Sequence, residues 1–162
     1  MNDRQHYRSQ LHELLRAEFD CAGRLHAVLA AEADALVNRD VDTLERLVGD
    51  KQGLMQTFED LELRKQQILE QTGFGGTEQH VEACIDWCDD SGQLKRGWHL
   101  LMERIRRCQH QNRINGATLD SSRRHAQQAL AILRGQPVAA PLYNPAGATA
   151  LNGDNGRSLA KA

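Results

Sequence analysis

All three prolines, Pro137, Pro141 and Pro145, lie beyond residue 136 of this 162-residue chain. A proline in a helix interior costs about 3 kcal/mol, because it lacks the N–H and its ring clashes with the preceding turn. The proline-free body is therefore free to be helical throughout. Its few β-branched residues and many Leu, Ala, Glu, Arg and Gln push the same way. No strict period-two alternation marks a strand.

Hydrophobic spacing divides this body into helices. Leu15, Ala22, Leu29 and Leu36 recur every seven residues, predicting a first helix from about Arg4 to Asn38. Leu11, Leu14, Cys21, Leu25, Val28 and Ala35 widen the stripe, which suits a bundle face more than a two-stranded seam. Asn38-Arg39-Asp40 forms a break, and Asp40 can cap a second helix from about Val41 to Gln71. That helix presents Leu47, Leu54, Leu61 and Ile68, joined by Leu44, Val48, Met55, Phe58 and Leu69. Thr72-Gly73-Phe74-Gly75-Gly76 ends it, with glycine supplying the left-handed conformation past a C-terminus.

Val81, Cys84, Ile85 and Cys88 form a short amphipathic segment, which Asp89-Asp90-Ser91-Gly92 interrupts or bends. A third long helix then reaches about Arg134. Its seam runs Leu94, Trp98, Leu101, Ile105, Cys108, Asn112, Asn115, Leu119, Ser122, Ala126, Ala129 and Leu133, in alternating steps of four and three. The expected fold is all-α: an antiparallel bundle of three to four long helices over 1–135. A disordered tail rich in Ala, Gly, Pro and Asn is expected over 136–162.

Composition removes several function classes. The net charge of −2 gives no global pull toward nucleic acid or an acidic membrane. No run of about 18 apolar residues exists to span a bilayer. The first ten residues are polar and lack a signal-peptide core, so the expected compartment is the cytoplasm, with reduced thiols. Charge is uneven, however. Residues 1–90 hold 19 acidic and 9 basic side chains, whereas 95–134 hold 9 basic and 2 acidic. The simplest reading is a basic third helix docked beside two acidic ones. The alternative, phosphate binding by Arg104, Arg106, Arg107, Arg113, Arg123 and Arg124, needs that stripe exposed, and the acidic remainder would repel a nucleic-acid backbone.

Metal-binding and catalytic signals are weak. His80, Cys84 and Cys88 share a helical face, and Cys108 and His110 could complete a ligand set. Yet no Cys-x-x-Cys pair is present, and the cysteines fall on apolar stripes, where a thiol behaves as a small hydrophobe. No Gly-x-Ser-x-Gly, phosphate-binding loop or His-Glu-x-x-His occurs. Neither enzymatic activity nor a cofactor is expected. Gly49 and Gly53 inside the second helix are read as places of close helix approach.

Asn112 and Asn115 interrupt the apolar seam. An asparagine there lowers stability and fixes register. It can equally mark an under-packed region in which the small residues Ser122, Ala126 and Ala129 leave room for an incoming chain.

One ordered pattern resembles a known family. It reads Asp42-x-Leu44-x-x-Leu47-x-x-x-Lys51-x-x-Leu54-Met55-x-x-Phe58-Glu59-x-Leu61, then Arg64, then Ile68-Leu69 before Gly73. Asn112-x-x-Asn115 in the last helix and a tail tyrosine, Tyr143, ahead of Gly147 are also similar to the FlgN family of flagellar export chaperones. The resemblance spans about Leu11 to Gly147. It implies a cytoplasmic chaperone of the flagellar type III secretion system. The clients would be the hook–filament junction proteins FlgK and FlgL, bound through helical C-terminal segments and delivered to the export gate. Carried onto this sequence, the client site falls on Asn112, Asn115, Leu119, Ala126, Leu130 and Leu133, and contact with the export apparatus falls on Tyr143. The tail continues fifteen residues past the family's compact pattern. The rival expectation is a structural coiled-coil adaptor that self-associates through the third long helix.

Overall fold

The computed structural model describes residues 2–75 and 78–135. These form four helices: α1 (Asn2–Asn38), α2 (Val41–Gln71), α3 (Glu78–Cys88) and α4 (Gln93–Leu133). The all-α expectation holds, and the short amphipathic segment is the separate helix α3. The chain divides into two units, residues 1–121 and 122–162. The first holds α1, α2, α3 and most of α4, and the second begins within the last turns of α4. The expected tail lies outside the described residues.

The helix ends follow local chemistry. Arg39 takes a left-handed φ of 55°, which turns the chain between α1 and α2. The Asp40 side chain then accepts a hydrogen bond from Thr43 N–H at 3.1 Å and caps α2. At the other end Gly73 has φ 80°, which costs a residue without Cβ little. Phe74 N–H reaches back to Leu69 O at 2.8 Å and Gly73 N–H to Glu70 O at 3.1 Å. This Schellman pairing satisfies the last carbonyls of α2.

In the first unit α1 and α2 run antiparallel. Glu18 meets Lys65, Cys21 meets Leu54, and Glu32 meets Lys51. Against α4, α1 runs parallel. Arg104 meets Phe19, Cys108 meets Ala22, and Asn115 meets Leu29. One core joins all four helices through Leu11, Leu15, Ile68, Ile85, Trp98 and Leu101, with others. A second patch, Leu14, Cys21, Leu54 and Leu61, seals α1 on α2. Leu11, Leu29, Ile85 and Leu101 are fully buried, and cutting such a side chain to alanine costs about 2–5 kcal/mol.

An ion pair is built into this interior. Lys65 Nζ lies 2.9 Å from Glu18 and 2.6 Å from Glu62, and stands over the Trp98 ring at 5.5 Å. Burial alone would lower the Lys65 pKa, but the two carboxylates outweigh it and hold the ammonium above its usual value.

Two expectations need correction. Among the described residues, no α4 arginine forms an ion pair with an α1 or α2 carboxylate. The buried stripe of α4 is Leu94, Trp98, Leu101, Cys108 and Asn115, and it leaves Arg106, Arg107, Arg113, Arg123 and Arg124 exposed. Arg104 alone turns inward, with its guanidinium 3.6 Å from the Phe19 ring centre. α4 packs through this stripe rather than through its arginines, so most of its positive charge stays on the surface. Gly49 and Gly53 are not close-approach sites either: a Cβ at either position would meet nothing within 4 Å.

Candidate functional site

The α4 seam keeps its period to the end, but its burial does not. Leu94, Trp98, Leu101 and Cys108 are all buried, and Asn115 is the last buried residue of the helix. Beyond it, Leu119 is 55%, Leu130 49%, Ile132 65% and Leu133 83% exposed. Ser122, Ala126 and Ala129 are exposed as well. Four of the expected client residues, Leu119, Ala126, Leu130 and Leu133, therefore lie on solvent-facing positions of α4. Tyr143 lies outside the described residues.

The two asparagines behave differently. Asn115 is 3% exposed and turned inward. Its Nδ2 donates to Leu29 O at 2.8 Å and to Glu32 Oε2 at 2.7 Å, and its Oδ1 accepts from Gln111 Nε2 at 2.9 Å. Glu32 Oε1 in turn accepts from Lys51 Nζ at 2.7 Å. The network ties α1, α2 and α4 at one level, which is how a buried polar residue fixes register. Asn112 is exposed and touches this network only at its edge, accepting from Lys51 Nζ at 3.3 Å.

Between α2 and α4 the first unit opens into a groove of about 880 Å³. Its floor on α1 is Ala22, Leu25 and Leu29. One wall, on α2, carries Met55, Phe58 and Leu63, and the other, on α4, carries Ile105 and Cys108. Polar residues edge it: Glu59 and Glu62 from α2, Gln109 and Asn112 from α4, and Lys51. Met55 and Leu63 are 47% and 58% exposed, so the groove presents open apolar surface. Sequence reasoning did not single out this groove. The available signal was the width of the apolar stripes: Leu25 and Met55 extend beyond what one helix–helix seam needs.

All four cysteines are free and buried. Cys84 and Cys88 sit among Val81, Ile85 and Trp98 in the core. Burial pushes the thiols of Cys21, Cys84 and Cys108 up, and burial together with neighbouring Cys84 and Asp89 pushes Cys88 up to about 11. Such thiols are protonated and poorly nucleophilic near neutral pH. His80 engages Gly75 O through Nδ1 at 3.0 Å. Among the described residues no group of three or more His, Cys, Asp or Glu is placed to hold a metal ion. No helix among them is long and apolar enough to cross a membrane.

What this arrangement offers is apolar surface at two places: a groove on the body and an exposed stripe on the last turns of α4. Both suit the binding of a helix. Compared with known proteins, the chain matches a family model described as FlgN protein over residues 1–150. No curated protein and no solved structure gives a significant match.

Proposed function

The chain belongs to the FlgN family of flagellar export chaperones, and from that premise we propose that it binds the hook–filament junction proteins FlgK and FlgL. In this reading it works in the cytoplasm, holds the C-terminal helical segments of these clients, and delivers them to the export gate. The observation that carries the proposal is the loss of burial along α4 after Asn115, where the apolar period continues on exposed Leu119, Leu130 and Leu133.

A client helix lies along this stripe with apolar anchors at i, i+3, i+4 and i+7, as in other helix-on-helix recognition. Leu119, Ala126, Leu130 and Leu133 supply the surface, and Asn112 supplies a polar contact at its start. Asn115 acts from beneath, by fixing the position of α4 on α1. Tyr143 makes the contact with the export apparatus. Neither a cofactor nor a chemical step is part of this reading, since handover to the export machinery releases the client.

Calorimetric titration with C-terminal segments of FlgK and FlgL tests it, using the full chain and a version ending at Gly135. Saturable one-to-one binding that survives truncation is the expected result. Binding lost on truncation would move the client site into residues 136–162. A folded sample that binds neither segment would sink the client assignment.

A further inference from the structure

The groove between α2 and α4 has a chemistry of its own. Along α2 it extends from Lys51 to Leu63, roughly 18 Å at 1.5 Å per residue, or about three helical turns. Its floor and lower walls are apolar. The two edges differ in charge. Glu59 and Glu62 stand on the α2 edge, three residues apart and so on the same side of that helix, while Gln109 and Asn112 give the α4 edge neutral amides. Glu62 is engaged by Lys65, whereas Glu59 has no ion-pair partner among the described residues. At one end Lys51 lines the groove and joins the Glu32–Asn115 network.

We infer that this groove is a second docking site, taking an amphipathic helix of about three turns that carries Lys or Arg along one flank of its apolar face. The inference rests on the client-binding reading above: the helix belongs to the exported partner. Its apolar face covers Leu25, Met55, Phe58, Leu63 and Ile105. Its basic flank lies against α2, where Glu59 offers an unengaged carboxylate. A helix seated there is a fourth long helix beside α1, α2 and α4. The site differs from the α4 stripe in position and in charge, since the arginines around that stripe favour acidic flanks.

The test uses the full chain and the same C-terminal segments of FlgK and FlgL. Met55→Glu and Leu63→Glu place charge on residues already half exposed, so folding is retained, as circular dichroism and the thermal midpoint verify. Each is expected to weaken binding about ten-fold or more, the scale of a lost apolar anchor. Glu59→Lys is expected to weaken it about three-fold, with recovery when a basic residue on the client segment is changed to Glu; such recovery reports direct pairing. Undiminished affinity in both Met55→Glu and Leu63→Glu, alongside loss in Leu130→Asp, overturns the groove assignment and leaves the α4 site standing. A wild-type chain that binds neither segment overturns both. A dimer seen by light scattering that Met55→Glu dissolves assigns the groove to a second copy and overturns the client assignment.

Discussion

Asn115 of α4 donates a hydrogen bond to the main-chain oxygen of Leu29 of α1 at 2.8 Å, across 86 residues of chain. The same amide nitrogen donates to Glu32, so replacing Asn115 leaves Oε2 of that partly buried carboxylate without this donor, while Oε1 keeps Lys51. Asn115→Ala is expected to lower stability by about 1–3 kcal/mol, the cost of unmet buried polar groups. Urea denaturation measures it, and an unchanged midpoint would show that the network contributes nothing to stability.

Lys65 and Glu18 make a sharper case, because both side chains are nearly withdrawn from water. Lys65→Met alone leaves the buried Glu18 carboxyl, whose pKa burial already raises, without its cation, and a loss of about 3–5 kcal/mol is expected. Glu18→Leu combined with Lys65→Met is expected to recover most of it. A double mutant as unstable as the sum of its singles would show that the two residues act independently.

The Asp89 carboxylate accepts from Ser91 N–H and Oγ and from Leu94 N–H, and pairs with Arg8 of α1 at 3.4 Å. Burial would raise its pKa, but these donors outweigh burial and hold it below the usual carboxylate value. A depressed folded pKa gives stability that is complete above the unfolded value, near 3.9, and is lost as pH falls through the lower folded one. Asp89→Ala is thus expected to cost roughly 1–2 kcal/mol at neutral pH, the range of a lost cap. The gap between variant and wild type should close below about pH 4, in melts across an acid series.

Gly49 and Gly53 face open space in mid-helix. Alanine at each should stabilise the protein by about 0.5–1 kcal/mol, because it removes backbone freedom from the unfolded chain at no steric cost. A lowered thermal midpoint would show that a Cβ there meets a neighbour in the folded chain, and would restore both glycines as close-approach sites.

Leu119→Asp and Leu130→Asp should weaken binding of the FlgK and FlgL segments while leaving helicity intact, since both residues are about half exposed. Calorimetry paired with circular dichroism separates the outcomes. An equal loss of folding would assign these leucines to the core.

Much of the fold was legible because its determinants are local. The α2 bounds follow from Asp40 as cap and Gly73 as stop, and its seam of Leu47, Leu54, Leu61 and Ile68 is buried throughout. Burial along α4 was not legible. A heptad records which face is apolar, and Leu101 and Leu119 satisfy it equally, but only Leu101 is covered. Asn115 and Asn112 looked equivalent in the seam, yet only the first meets acceptors on α1. The groove was hidden for a related reason. It depends on the spacing between α2 and α4, and Leu25, Met55 and Ile105 read as ordinary stripe residues until both walls are placed. The arginines misled because charge totals by segment carry no information about which face of a helix each charge occupies.

The parallel run of α1 and α4 also sets an order in time. α1 and α2 meet across a turn of two residues, whereas the bonds from α1 to α4 span 83 to 86 residues. Local pairs close early, and distant ones wait until the chain between them is ordered. On a ribosome, the α1–α2 hairpin emerges first, with Ala22 and Leu29 still bare on the side that α4 will cover. α4 is the last of these helices to be made. A hairpin folded by then would display the seat of its own final helix.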